Sequence, residues 1–123
     1  MKVGYKVWLD NGGKAFGDGP CELLRHAEQT HSLHQSARQM GMAYSKAWHL
    51  IRTLEERLGF VLLERKAGGR YGGGSQITPM AKDLMKQYEL FQKDVKIALE
   101  KIYKKHFGSS LSFPLSSKGR GKT

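Results

Sequence analysis

The chain has 123 residues and a formal net charge of +10, a length that fits one compact domain with an extension and leaves no room for a second full-sized one. The charge makes nucleic acid the first partner to test, because a positive field concentrates polyanions before any specific contact forms. A single cysteine, Cys21, excludes an internal disulfide framework and a multi-cysteine zinc site; no stretch approaches the ~18 apolar residues of a membrane span, so the expectation is a soluble, cytoplasmic, nucleoid-associated protein with no membrane partner.

Residues 5–9, Tyr-Lys-Val-Trp-Leu, are rich in β-formers and lead into Asp10-Asn11-Gly12-Gly13, a sequence that tolerates the positive φ of a hairpin turn; residues 14–17 are the expected return strand. Gly19-Pro20 marks a helix entry, since proline at the first helical position forfeits no hydrogen bond, and Leu23, Leu24 and Ala27 give that helix one apolar face. Thr30-His31 ends it. Ser32-Leu33-His34-Gln35 has the spacing of a capping box and opens a second helix over 33–40, after which Gly41 supplies the left-handed turn. A third helix is predicted over 44–58, with Ala47, Trp48, Ile51, Leu54 and Leu58 at helical spacing, closing at Gly59.

Residues 61–66 read as a strand and 76–77 as its partner. The stretch 67–75 between them holds five glycines and is expected to project as a flexible tip. Thr78 as N-cap and Pro79 in the first turn open a helix that nothing interrupts before about Phe107, some ~43 Å at 1.5 Å per residue. Within it Leu84, Tyr88, Phe91, Val95, Ala98 and Ile102 alternate in steps of four and three, the period of a coiled-coil seam. A second copy of the same helix is the simplest cover for that seam; the alternative is a helix folded back on its own domain. The predicted organisation is a DNA-binding domain over 1–78 with an N-terminal hairpin, a dimerisation helix over 79–107, and a basic tail over 108–123 expected to be disordered.

A hairpin, three helices, a second hairpin with a basic glycine-rich tip and a final helix make a winged helix-turn-helix, mainly α with small β-hairpins. Ala37 is small where two helices cross, and Gly41 turns the chain four residues later. On the third helix, removal of the apolar face leaves Ser45, Lys46, His49, Arg52 and Thr53 three or four apart, the arrangement of a helix lying in the major groove; Tyr44 at its start and Gln35 on the second helix join this DNA-binding set. Arg52 has the geometry to pair with guanine, Ser45 and His49 to reach base edges or phosphates, and Lys46 to hold a phosphate. Glu55 and Glu56 would be repelled by phosphates, so the N-terminal half is expected to enter the groove. Arg65, Lys66, Arg70 and Tyr71 form the wing, suited to phosphate or minor-groove contact with double-stranded DNA.

Other chemistries find less support. Gly72-Gly73-Gly74-Ser75 lacks the lysine of a phosphate-binding loop. His26, His31 and His34 have no cysteine or carboxylate at ligand spacing, so no metal is expected. Cys21 lies at a helix start, where its pKa would fall, but no base stands beside it. No catalytic set and no cofactor are predicted, and the chain is not expected to be an enzyme.

Val7-Trp8-Leu9 with the Gly12-Gly13 turn, Gly41-Met42-Ala43-Tyr44-Ser45-Lys46-Ala47-Trp48, Leu58-Gly59, the stretch 68–74 and Ile77-Thr78-Pro79 resemble the DNA-binding domain of the molybdenum-dependent, ModE-type transcriptional regulators, themselves related to LysR-type winged helices. The resemblance spans about residues 5–90. It implies a homodimer, held by its N-terminal hairpin region and long helices, that reads a palindromic operator with recognition helices and wings. Two residues depart from the pattern: Ala43 replaces a usual serine, removing the best N-cap of the recognition helix, and His31 stands where glycine is usual. Full-length molybdate-sensing members continue into paired molybdate-binding modules, whereas this sequence ends after the helix. The expectation is therefore a sequence-specific regulator in molybdenum homeostasis without its own molybdate-binding module, with a separate molybdate-binding protein as the partner that would supply one. The alternatives are a nonspecific architectural DNA-binding protein or a DNA-binding subunit that relies on a separate oxyanion sensor.

Overall fold

A computed structural model describes residues 1–66 and 74–108. They fall into two compact units, one within Val7–Glu89 and the other made of Met1–Lys6 with the described residues from Leu90 to Gly108.

The larger unit opens with a hairpin of β1 (Leu9–Asp10) and β2 (Lys14–Phe16), with Leu9 opposite Phe16 and an irregularity before Asp10 meets Lys14. The strand expected from residue 5 is shorter than predicted. Residue 17 is already the N-cap of α1 (Asp18–Thr30), so the three-residue return strand offers residues 5–8 nothing to pair with. Helix α1 ends at His31, which takes the left-handed conformation (φ 56, ψ 29) usually left to glycine. Ser32 then caps α2 (Leu33–Gln39), its Oγ accepting from the Gln35 amide at 3.1 Å.

Two small residues set the distance between helices. Ser36, fully buried, donates from Oγ to the Leu23 carbonyl of α1 at 2.5 Å, and Ala37 is buried beside it. Gly41, at φ 69, turns the chain so that the Met42 amide returns to the Ala37 carbonyl at 2.9 Å. Helix α3 (Tyr44–Leu58) follows and buries Ala47, Trp48, Ile51 and Leu54. The wing strands β3 (Leu63–Lys66) and β4 (Gly74–Ile77) pair antiparallel from Leu63 opposite Ile77 to Lys66 opposite Gly74. Their base is pinned to the α1–α2 corner, where the Ser75 amide donates to the His31 carbonyl at 2.9 Å. A Cβ on Gly74 would lie 2.6 Å from that carbonyl oxygen, so the approach requires glycine.

Thr78 caps α4 (Pro79–Phe107): its Oγ1 accepts from the Ala81 amide and donates to the Val61 carbonyl at 2.7 Å. The first turns of α4 are core, and here the structure corrects the sequence reading. Tyr88, assigned above to an intermolecular seam, is buried; its ring meets Phe16 edge-on at 5.3 Å, and its hydroxyl lies 3.1 Å from the Val7 carbonyl and 3.0 Å from an Asp18 carboxylate oxygen. Leu84, half-buried, packs on the same core. An apolar stripe of period 3.5 has the same appearance whether its cover is the helix's own domain or another chain, and for residues 81–88 the cover is the domain. The compact unit accordingly continues to Glu89 instead of closing at residue 78.

In the smaller unit the Tyr103 hydroxyl donates to the Met1 carbonyl at 2.9 Å, and the rings of Tyr103 and Phe107 stack at 5.7 Å. Leu90, Phe91, Ile97 and Ile102 are exposed on this part of α4, Ile102 by 53%. No described helix is long and apolar enough to cross a membrane.

Candidate nucleic-acid interface

The face of α3 left outside the core carries most of the residues singled out from sequence. Tyr44, Ser45, Lys46, His49 and Arg52 are exposed and Thr53 is half-buried. Ala43 occupies the N-cap position with an extended backbone (φ −67, ψ 145), and no side chain caps the helix. A methyl group cannot accept a hydrogen bond, so the first amides of α3 are left for solvent or an anion.

Trp48 organises the surface around it. The residue is 8% exposed, and the guanidinium groups of both Arg52 and Arg65 lie over its ring, at 4.3 and 4.7 Å from the ring centroid. Such cation–π contacts fix a guanidinium in place at roughly 0.5–2 kcal/mol each. Arg52 comes from the recognition helix and Arg65 from the wing, so one indole brings together cations of the two elements. Tyr44 meets Trp48 edge-on at 6.4 Å, and His34 of α2 stacks on Tyr44 at 4.9 Å. The Trp48 indole N–H finds no acceptor among the described residues.

Glu55 is the residue whose role differs most from expectation. Its side chain is only 10% exposed, so it is not the phosphate-repelling surface charge inferred from sequence. One carboxylate oxygen accepts from Arg52 Nη1 at 2.5 Å, and the other accepts from the Leu62 and Leu63 amides at 2.7 and 3.2 Å, where β3 begins. Glu56, one position on, remains exposed.

The remaining assignments are distributed more widely. Gln35 is exposed at the start of α2, and Lys66 is exposed at the end of β3. Arg70 and Tyr71 lie outside the described residues. Trp48 and His34 were not assigned to the DNA-binding face from sequence, although Tyr44, Trp48 and Arg52 follow at intervals of four, which places them together on any helix.

Cys21 also differs from expectation. The helix start does not lower its pKa; burial pushes the thiol up, only partly offset by the Arg25 guanidinium 3.7 Å from Sγ. Among the described residues no three of His, Cys, Asp and Glu are grouped to hold a metal ion. The histidines considered for one have local roles instead: His26 lies 3.6 Å from Glu22, His31 ends α1, and His34 stacks on Tyr44.

The turn between α2 and α3, with the hairpin that follows, is the arrangement of a winged helix-turn-helix, and residues 21–82 match the bacterial regulatory helix-turn-helix proteins of the lysR family. The chain belongs to that family. Its members are described as regulatory proteins, and the chain shares their helix-turn-helix domain. Among curated relatives it is similar to a molybdenum transport protein ModE of Azotobacter vinelandii, 30% identical over 90 residues, covering 73% of this chain and 33% of the relative. It is 34% identical over 68 residues to the DNA-binding transcriptional dual regulator ModE of Escherichia coli (strain K12), covering 55% of this chain and 26% of the relative. A molybdenum-pterin-binding protein MopB of Rhodobacter capsulatus is 29% identical over 82 residues, covering 67% of this chain and 30% of the relative. The chain thus spans about a quarter to a third of the length of these relatives.

Proposed function

We propose that this lysR-family chain is a sequence-specific regulator of transcription that places α3 in the major groove of double-stranded DNA and the β3–β4 wing on the flanking backbone. The observation that carries the reading is the polar face of α3. Ser45, Lys46, His49 and Arg52 are exposed while Ala47, Trp48, Ile51 and Leu54 are buried, which leaves one side of the helix free for a groove. Base readout falls to Arg52, Ser45 and His49, and phosphate contact to Lys46, Arg65, Lys66 and, outside the described residues, Arg70 and Tyr71.

The active species in this reading is a homodimer. Phe91, Val95, Ala98 and Ile102 keep the four-three spacing of a seam after Tyr88 is assigned to the core, and the exposure of Phe91 and Ile102 suits cover by a second copy. A two-fold dimer predicts a palindromic site with half-sites about one helical turn apart. The names of the relatives extend the proposal to molybdenum homeostasis as the regulated process, with DNA reading assigned to the residues described here and molybdate recognition assigned to none of them.

Selection of bound fragments from genomic DNA, with and without molybdate, tests the whole reading. A single enriched palindrome is the expected result. Binding of all fragments alike, with a steep salt dependence, would identify an architectural protein driven by charge instead.

A further inference from the structure

We infer that Glu55 is a specificity-determining positioning residue, which holds Arg52 in its reading conformation and ties it to the base of the wing. The inference rests on the proposed placement of α3 in the major groove.

The geometry is that of a two-sided clamp. One oxygen of Glu55 pairs with Arg52 at 2.5 Å while the other takes the two amides that start β3. The carboxylate is thus fixed from the wing side by groups that cannot rotate away, and Arg52 is fixed against it. The Trp48 ring supports the guanidinium at 4.3 Å and holds Arg65 of the wing at 4.7 Å. Arg52 nevertheless remains 49% exposed, so part of its donor fork is available to a ligand. An arginine free in solution must give up side-chain freedom to make a bidentate base contact, and one already held gives up less. A neighbouring carboxylate also weakens the attraction of Arg52 for any nearby phosphate. Glu55 therefore favours the base contact over nonspecific backbone contact on both counts, and it transmits displacement of the wing to the reading side chain.

Glu55→Gln is the direct test. The amide oxygen can still accept from Leu62 or Leu63, but the ion pair is lost. The ratio of affinities for selected and random DNA is expected to fall about tenfold, as for loss of a bidentate base contact. The salt slope on random DNA is expected to steepen by roughly 0.9, the value for one added phosphate contact. Glu56→Gln changes the net charge equally and is expected to leave the ratio unaltered. In an Arg52→Ala background, Glu55→Gln is expected to have no further effect on the ratio.

Because Glu55 also supports the wing, Arg52→Lys approaches the same pair from the other side. It is expected to lower the ratio comparably while hydrogen exchange at the Leu62 and Leu63 amides stays as in the parent. A parent that discriminates while Glu55→Gln retains its ratio would overturn the inference alone. So would equal effects of Glu55→Gln with and without Arg52, or an equal effect of Glu56→Gln. A parent that binds all sequences alike would overturn the DNA-reading proposal and this inference together.

Discussion

Replacing Gly13 by alanine tests how the N-terminal hairpin is attached to the recognition helix. Gly13 sits at φ 135, and a Cβ there would lie 2.5 Å from Cζ of Arg57. Arg57, in the last turn of α3, donates from Nη1 to the Lys14 carbonyl at 2.7 Å, and its own carbonyl accepts from Asn11 Nδ2 at 2.7 Å. The two bonds tie both sides of the hairpin turn to the end of α3. Alanine would hold a sparsely populated backbone region at about 1–3 kcal/mol. It would also displace the guanidinium, losing a charge-assisted hydrogen bond of about 1 kcal/mol at this partly exposed site. Together these give about 2–4 kcal/mol, measurable in urea unfolding as a lower midpoint with an unchanged slope. In an Arg57→Ala background only the backbone part should remain, and the difference between the two backgrounds is the coupling. A Gly13→Ala protein within about 0.5 kcal/mol of the parent, or an equal loss in both backgrounds, would refute the attachment.

Three further outcomes follow from particular residues. Ala43→Ser supplies the missing cap of α3 and should raise stability by about 0.5–2 kcal/mol in the same unfolding assay; no gain would mean that the first turn is satisfied in another way. The Cys21 thiol is raised above its ordinary value of 9.0, so at alkaline pH the unfolded chain loses this proton before the folded one. The stability contribution of the neutral thiol is complete below pH 9.0 and declines as pH rises from there through the folded value; Cys21→Ala should flatten that part of a stability-against-pH curve, and the native thiol should react slowly with disulfide reagents until urea exposes it. Phe91→Lys should give monomers in sedimentation velocity with weakened DNA binding, whereas a dimeric variant would contradict the seam.

Much of the fold was legible because it is local. The caps at Ser32 and Thr78, the turn at Gly41 and the periods of α3 and α4 lie within short windows, and each is formed at the position its sequence predicts. The long-range assignments depended on information that a single window lacks. Tyr88 and Phe91 occupy one stripe of one helix, yet Tyr88 is buried against Phe16, and nothing in the spacing marks where the domain ends. Glu55 read as a surface acid because its acceptors' partners, the Leu62 and Leu63 amides, become neighbours only after the chain turns at Gly59. Arg65 reaches Trp48 across the same turn. His31, unusual from sequence alone, takes the left-handed conformation required there and directs its carbonyl to the wing.

These attachments share a direction. The C-terminal end of α3 is tied to the hairpin through Arg57 and Asn11, and Glu55, in the same last turn, links it to the wing. The wing is in turn bonded to the α1–α2 corner at His31. Against this, the first turn has no side-chain cap and exposes Ser45 and Lys46, with His49 exposed one turn on. A helix braced at its far end and bare at its leading end carries its unsatisfied amides, partial positive charge and cationic side chains on one side. The proposed insertion by the N-terminal half, inferred from sequence through repulsion by Glu55 and Glu56, therefore rests on a different physical argument. Glu55 is the internal anchor that keeps the rear of α3 fixed, and in the proposed complex the uncapped amides would supply the complementarity to a polyanion.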